Sequence, residues 1–308
     1  MDTAPPFRLR FVGPRWWPTW LGIGLLRALC CLPVPAVLKL GEAIGGVLGA
    51  RLKSRRHVVR VNLAICFPEL DPAQRENLVD AHFAALGRGL FEAGLAWFAS
   101  DARLRPHGEV RGLEHLRAAT REGRGALLLT GHFTSLELAG RFLAIEGVRF
   151  HAMYRRINNE LIDYFMHRWR ERRSHMAALP KDDLKKLLRA LRDGKLIWYA
   201  PDQALELRNA VSVPFFSRPV LTITATSRLA QLGRAAVVPY FPRIERGRYV
   251  VEILPALAAF PSGDDTADAR AVNAAIEGGV RAAPADYFWV HRRFKRWDPA
   301  QEDVYAGR

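Results

Sequence analysis

The spacing of apolar positions changes along the chain, and the changes mark its organisation. From Trp16 to Leu38 apolar residues run almost unbroken, with Arg27 the only charge. A membrane span needs about 20 mostly apolar residues, and Trp16, Trp17 and Trp20 resemble an interfacial aromatic belt. A basic run follows at Arg51, Lys53, Arg55, Arg56 and Arg60. Pro33 and Pro35 interrupt the stretch, and no small-residue cleavage site follows it. Three readings stand: a tilted or re-entrant membrane anchor, which leads; an amphipathic helix lying on the bilayer; and a buried core helix.

Helical periodicity takes over from Arg55 to Phe67 and ends at Pro68. Asp71 followed by Pro72 is a good helix start, a cap and then proline at the first position. That helix is predicted to reach about Leu86, with another from Leu90 to Phe98. From about residue 105 short apolar runs alternate with amphipathic segments, which predicts an α/β domain. Strands are expected at Val148–Tyr154, Leu196–Tyr199, Val211–Phe216, Ala236–Phe241 and Tyr249–Leu254. Helices are expected at Leu113–Glu122, Leu161–Ala178, Asp182–Asp193, Thr222–Leu232 and Ala269–Arg281. Leu184, Leu187, Leu188 and Leu191 give the third of these a clear apolar stripe, stopped by Gly194. The expected fold is α/β, with a central mixed sheet flanked by helices and an N-terminal membrane-anchoring helix. Residues 1–50 form the apolar anchor and 51–308 the catalytic domain, with a helical lead-in at 51–105 and the α/β part at 106–308.

Composition sharpens the picture in two ways. The chain has 308 residues, enough for a sizeable core. Its net charge of +15, mostly arginine, implies an anionic partner such as nucleic acid, anionic lipid or an acidic protein. Arginine suits bidentate phosphate contacts, although an arginine-rich genome gives the same excess. Cys30, Cys31 and Cys66 have no metal-ligand spacing and are odd in number, which fits a reducing compartment without a disulfide framework.

The strongest candidate chemistry lies between Gly125 and Ala139. Leu127–Leu129 reads as a buried strand, Gly131 as a turn, and Thr134 or Ser135 as the cap of a following helix. His132 sits on the turn and Glu137 follows five residues later. On one continuous helix that spacing is about 500° of rotation, so the side chains would diverge. With His132 on the turn and Glu137 in the first helical turns, Glu137 is expected to accept from one ring nitrogen. That contact would fix the tautomer and leave the other nitrogen as a general base. Nine histidines and 31 acids make about one such spacing by chance. The position after an apolar strand carries the weight, because strand ends are where α/β folds place sites.

The chain resembles the late acyltransferases of bacterial lipid A biosynthesis, which add lauroyl or myristoyl chains and belong with the glycerolipid acyltransferases. Ordered pieces from about Pro14 to Tyr305 carry the resemblance: Trp17-Pro-Thr-Trp-Leu-Gly22, Val61-Asn-Leu-Ala-Ile-Cys-Phe-Pro-Glu-Leu70, Gly131-His-Phe133 with Glu137, and Tyr154-Arg155 with Asn158-Asn159. Pro201-Asp-Gln203, Val213-Pro-Phe-Phe216 and Trp289-Val-His-Arg-Arg-Phe-Lys295 follow. Thr134-Ser135-Leu136, Arg156 and Ser217 depart from the family's usual Gly-Asn-Trp, Pro and Gly. The resemblance implies an inner-membrane enzyme with its catalytic domain on the cytoplasmic side. It implies acyl carrier protein as donor, a lipid A precursor hydroxyl as acceptor, and no cofactor or metal. His132 would be the base and Glu137 its orienting acid. The alternative acceptor is another glycolipid, a phospholipid or an aminolipid. No nucleic-acid motif is present, and no nucleic-acid partner is expected.

Other residues stand between functional and structural readings. Arg155, Asp202, Arg292 and Arg293 are candidate substrate-binding residues, with a solvated loop, a turn and a basic tail as the plainer alternatives. Phe215 and Phe216 read as core rather than acyl contacts. Arg168, Arg170, Arg172 and Arg173 read as a solvated helix face, or as a dock for the carrier protein.

Overall fold

A computed structural model describes residues 6–203, 209–298 and 300–306. The apolar N-terminus does not form one long helix. It breaks at Cys30–Pro33 into α1 (Trp17–Leu29) and α2 (Val34–Arg51), because Pro33 and Pro35 cannot continue the first helix but open the second well. The 13 residues of α1 reach only about 20 Å against a hydrocarbon core of about 30 Å. Among the described residues no helix is long and apolar enough to cross a membrane, so the fold gives no support to the expected N-terminal membrane-anchoring helix.

Helices α3 (Lys53–Cys66) and α4 (Pro72–Phe98) follow. Asp71 caps α4 in a capping box, its carboxylate accepting from Gln74 N at 2.8 Å while the Gln74 side chain accepts from Asp71 N at 2.9 Å. The two helices predicted over 72–98 are one continuous helix. Its glycines at 87 and 89 are used for close approach rather than as a break. A Cβ on Gly87 would lie 2.1 Å from the Gly41 carbonyl oxygen, so α2 and α4 pack backbone to backbone.

After α5 (Asp101–Leu104) the chain alternates strand and helix. The order is β1 (Gly108–Arg111), α6 (Leu113–Ala119), β2 (Ala126–Leu129), α7 (Leu136–Ile145), β3 (Phe150–Tyr154), α8 (Glu160–Ser174), β4 (Leu179–Pro180), α9 (Leu184–Arg192) and β5 (Leu196–Tyr199). Then come β6 (Ala210–Phe215), β7 (Arg218–Ile223), α10 (Ala225–Gly233), β8 (Ala236–Glu245), β9 (Arg248–Ile253) and α11 (Asp265–Ala282). Strand β7 takes the start of the helix expected at Thr222–Leu232. It pairs with β6 as an antiparallel hairpin outside the main sheet.

The main sheet has the order β1-β9-β8-β2-β5-β3-β4. Only the β8–β9 pair is antiparallel, so the sheet is mixed, as expected. Its centre, β2, is wholly buried and made of Ala126-Leu-Leu-Leu129, the continuous apolar run of a strand covered on both faces. Alternate residues of β2 enter two cores. Leu127 and Leu129 pack with α9, α10 and α11, whereas Ala126 and Leu128 pack with α4 and α7. The register Leu129↔Tyr199 sets the ends of β2 and β5 side by side, and the chain leaves both at the same edge.

Candidate active site

The site follows from that register. His132 lies three residues beyond Leu129, and Asp202 lies three residues beyond Tyr199. Thr130 N donates to Tyr199 O at 3.0 Å and extends the pairing past the strand ends. The two loops therefore meet. The His132 backbone N–H donates to Asp202 Oδ2 at 2.9 Å, and Nδ1 lies 2.5 Å from Asp202 Oδ1. Asp202 is only 2% exposed. The His132 side chain keeps 36% of its surface open, and its Nε2 makes no hydrogen bond among the described residues.

The electrostatics fix the proton positions. Burial alone would raise the Asp202 pKa, but the His132 ring, the His132 N–H and the Arg293 charge outweigh it and hold the carboxyl far below its ordinary range. Asp202 is thus an acceptor, and Nδ1 carries the proton that it accepts. Burial opposes a charge on His132, yet Asp202 overcomes it, and the His132 pKa is raised. The result is a histidine held to one carboxylate through its ring Nδ1 and its backbone N–H, with Nε2 left without a hydrogen bond among the described residues.

Glu137 does not make the contact predicted for it. It stands in the first turn of α7 and points toward α8, where Arg170 Nε donates to Oε1 at 3.0 Å and Arg170 Nη2 adds a second bond. Trp97 Nε1 donates to Oε2 at 3.2 Å. The ring partner of His132 is Asp202. Glu137 instead lines a narrow cleft whose walls include Trp97, Gly140, Phe150, Trp169 and Trp198.

The other candidates separate. Arg155 and Arg292 are exposed, Arg292 over the Tyr305 ring at 5.5 Å. Arg293 is 6% exposed and is built into the core. It donates to Leu221 O at 3.2 Å and lies 4.9 Å from the Phe215 ring centroid. It reaches Asp202 by its charge. Phe215 is fully buried, as expected. The arginines of α8 do not form one solvated face: Arg168 and Arg172 are exposed, Arg170 holds Glu137, and Arg173 donates to the Trp97 and Ala99 carbonyls.

Sequence reasoning missed Tyr287, whose buried phenol lies against Asp202 and whose pKa burial and that carboxylate push well up. It also missed Asp286, Arg88 and Trp97. Tyr287 carried only the signal of an aromatic residue in a basic C-terminal segment.

A half-open histidine at the end of a buried parallel strand, held by a buried carboxylate, is an arrangement that can take a proton from a hydroxyl or water. Sequence comparison names the class. The family model for bacterial lipid A biosynthesis acyltransferases matches residues 4–296. The lipid A biosynthesis lauroyltransferase of Escherichia coli (strain K12) is 37% identical over 299 residues, covering 96% of this chain and 97% of its own. The palmitoleoyltransferase of the same organism is 35% identical, covering 97% and 98%, and the myristoyltransferase 28%, covering 99% and 95%. The chain belongs to the bacterial lipid A biosynthesis acyltransferase family, and is an acyl-transferring enzyme of lipid A biosynthesis.

Proposed function

We propose that this enzyme moves a fatty acyl chain from acyl carrier protein to a hydroxyl of a lipid A precursor, with His132 as general base and Asp202 as the acid that orients it. The observation that carries this reading is the paired contact of Asp202 with the ring and backbone of His132. Nε2 takes the proton of the acceptor hydroxyl, and Asp202 stabilises the imidazolium that forms. The oxygen attacks the thioester carbonyl, the C–O bond forms and the C–S bond breaks. The proton then passes from Nε2 to the departing thiolate, and the histidine returns to its neutral form. Charge agrees with both substrates, since arginine suits acceptor phosphates and an acidic carrier.

The acceptor is a lipid, and the N-terminal helices supply a surface for it. Trp17, Leu21 and Leu25 repeat every fourth residue along α1 and are 62%, 74% and 57% exposed. Ile44, Val47 and Leu48 are likewise exposed on α2, and Arg15, Arg27, Lys39 and Arg51 are exposed around them. An apolar stripe rimmed by basic residues suits attachment to the anionic cytoplasmic face of the inner membrane without crossing it.

The test is acyl transfer by the purified full chain from acyl carrier protein to a lipid A precursor, read by mass spectrometry. The wild type is expected to add one chain, and His132→Ala to add none while folding normally. Full turnover by His132→Ala would overturn the mechanism. A wild type active only on another lipid would overturn the acceptor.

A further inference from the structure

The turn that carries His132 is held by a second polar cluster in addition to Asp202. Thr134 N donates to the Asp286 carbonyl at 2.7 Å, and the Thr134 hydroxyl donates to Asp286 Oδ1 at 3.1 Å. Phe288 N donates to His132 O at 2.9 Å, and Phe133 bridges Tyr287 in antiparallel fashion. Asp286 is 8% exposed, and its charge is met by Arg88 Nη2. The same guanidinium donates through Nε to Glu92 at 2.8 Å and through Nη1 to Glu42 at 2.9 Å. Glu92 also accepts from the Tyr249 hydroxyl at 2.6 Å.

This is an expensive arrangement for stability alone. It gathers three carboxylates around one guanidinium, two of them, Glu92 and Asp286, in buried positions where apolar packing often stabilises as well or better. What the arrangement supplies is geometry. The planar fork of Arg88 fixes three directions at once: along α4 to Glu92, across to α2 at Glu42, and over to Asp286 beneath the turn. The backbone of α4 also abuts the turn, since a Cβ on Gly89 would lie 2.9 Å from the Thr134 carbonyl oxygen.

We propose that Arg88 and Asp286 are positioning residues whose ion pair sets the Gly131–Thr134 turn so that His132 meets Asp202, and that Glu42 ties this turn to helix α2. The proposal rests on His132 as the base. It assigns a role to residues that touch neither substrate nor the reacting atoms. It also places α2, whose outer face is apolar, one side chain from the device that sets the base.

The experiment measures kcat, KM for both substrates, and the pH profile of kcat/KM for Asp286→Ala, Asp286→Asn and Thr134→Val in the purified full chain. Asp286→Ala is expected to lower kcat on the order of 10²-fold, as displacement of a reacting group by about 1 Å does, with KM nearly unchanged. The acidic limb of its pH profile should move to lower pH, because a His132 that slips from Asp202 loses the partner that raises its pKa. Asp286→Asn keeps an oxygen for Thr134 and Arg88 but gives up the charge that completes the ion pair, and should recover only part of the loss. Thr134→Val removes one bond and keeps the volume. It should show a smaller loss with a shift of the same sign, and it decides the matter if Asp286→Ala does not fold. A folded Asp286→Ala or Thr134→Val with wild-type kcat and an unmoved acidic limb would overturn the proposal. His132→Ala in the same assay separates this from the underlying reading: its full turnover would sink the base itself, whatever the Asp286 variants do.

Discussion

Asp202 holds both the ring and the backbone of His132 across 70 residues of sequence, through bonds of 2.5 and 2.9 Å. The double contact fixes the imidazole in position and in tautomer. Asp202→Asn should therefore cost far more than a lost hydrogen bond. The amide can present its NH₂ to Nδ1, favour the wrong tautomer and place a hydrogen on the nitrogen that must act as the base. The expected loss in kcat is on the order of 10³- to 10⁴-fold. Burial lowers and Asp202 raises the His132 pKa, with a net rise. The wild-type acidic limb should therefore lie above the ordinary histidine value of about 6.5. Without the carboxylate the limb should move to lower pH. An Asp202→Asn variant with an unmoved limb and near-normal kcat would remove Asp202 from the mechanism.

Glu137 gives the opposite pattern. Its carboxylate is bound by Arg170 and Trp97 rather than by His132. Glu137→Gln should leave the acidic limb of the pH profile in place and lower the rate less than Asp202→Asn does. Glu137→Ala strips Arg170 of its partner where both side chains are under one-fifth exposed. It should cost about 1–3 kcal/mol of stability, the penalty of leaving a largely buried polar group unpaired. Denaturant unfolding checks the second outcome and the pH–rate profile the first. A limb displaced by Glu137→Gln would return Glu137 to the role that its spacing suggested.

The strand, the turn and the helix around His132 were legible because each has a local cause: a continuous apolar run, a glycine, and an amphipathic repeat. The partner of His132 was not. Spacing within one segment reports only on neighbours along the chain, and it selected Glu137, whose side chain is drawn to Arg170 on α8. The His132–Asp202 contact arises from the parallel register of β2 and β5, a pairing between segments that no local pattern encodes. Asp202 was visible as a residue after a strand, but its place beside β2 was not. The N-terminus failed for a different reason. Hydropathy counts apolar residues and favoured an anchor, although Pro33 and Pro35 already marked the interruption at which the helix breaks. The arginines of α8 look alike in sequence, and only tertiary packing turns Arg170 and Arg173 inward.

Glu92 offers a test by pH and stability. It is 1% exposed, and burial pushes its pKa up to about 7 against the opposing effects of Arg88 and the Tyr249 hydroxyl, with Asp286 adding to the rise. In the unfolded chain a glutamate titrates near 4.3. Between about 4.3 and 7 the folded protein keeps a proton that the unfolded chain has released. Stability therefore falls as pH rises through that window and levels off above it. Glu92→Gln removes the titration and keeps an oxygen for Arg88 and Tyr249. Its stability relative to wild type should rise steadily from pH 4.5 to pH 7.5, on the order of that window. Parallel curves for the two proteins in chemical denaturation would show that Glu92 stays ionised throughout.

The outer face of α1 makes the last prediction. Leu21 and Leu25 stand one turn apart and are 74% and 57% exposed, so replacing them should disturb little packing inside the protein. Moving such side chains into the acyl boundary of a bilayer gains roughly 1.5–3 kcal/mol each when burial is complete. The double variant Leu21→Glu, Leu25→Glu loses that gain and adds two charges that an anionic surface repels. Its binding to vesicles containing anionic phospholipid should weaken on the order of 10²-fold or more. Turnover on a detergent-dispersed acceptor should stay near wild type, because neither residue belongs to the His132 site. Raised salt should weaken binding of the wild type to anionic vesicles through the exposed arginines, and should do little for neutral vesicles. A double variant that binds vesicles as well as the wild type would move the membrane contact elsewhere on the molecule.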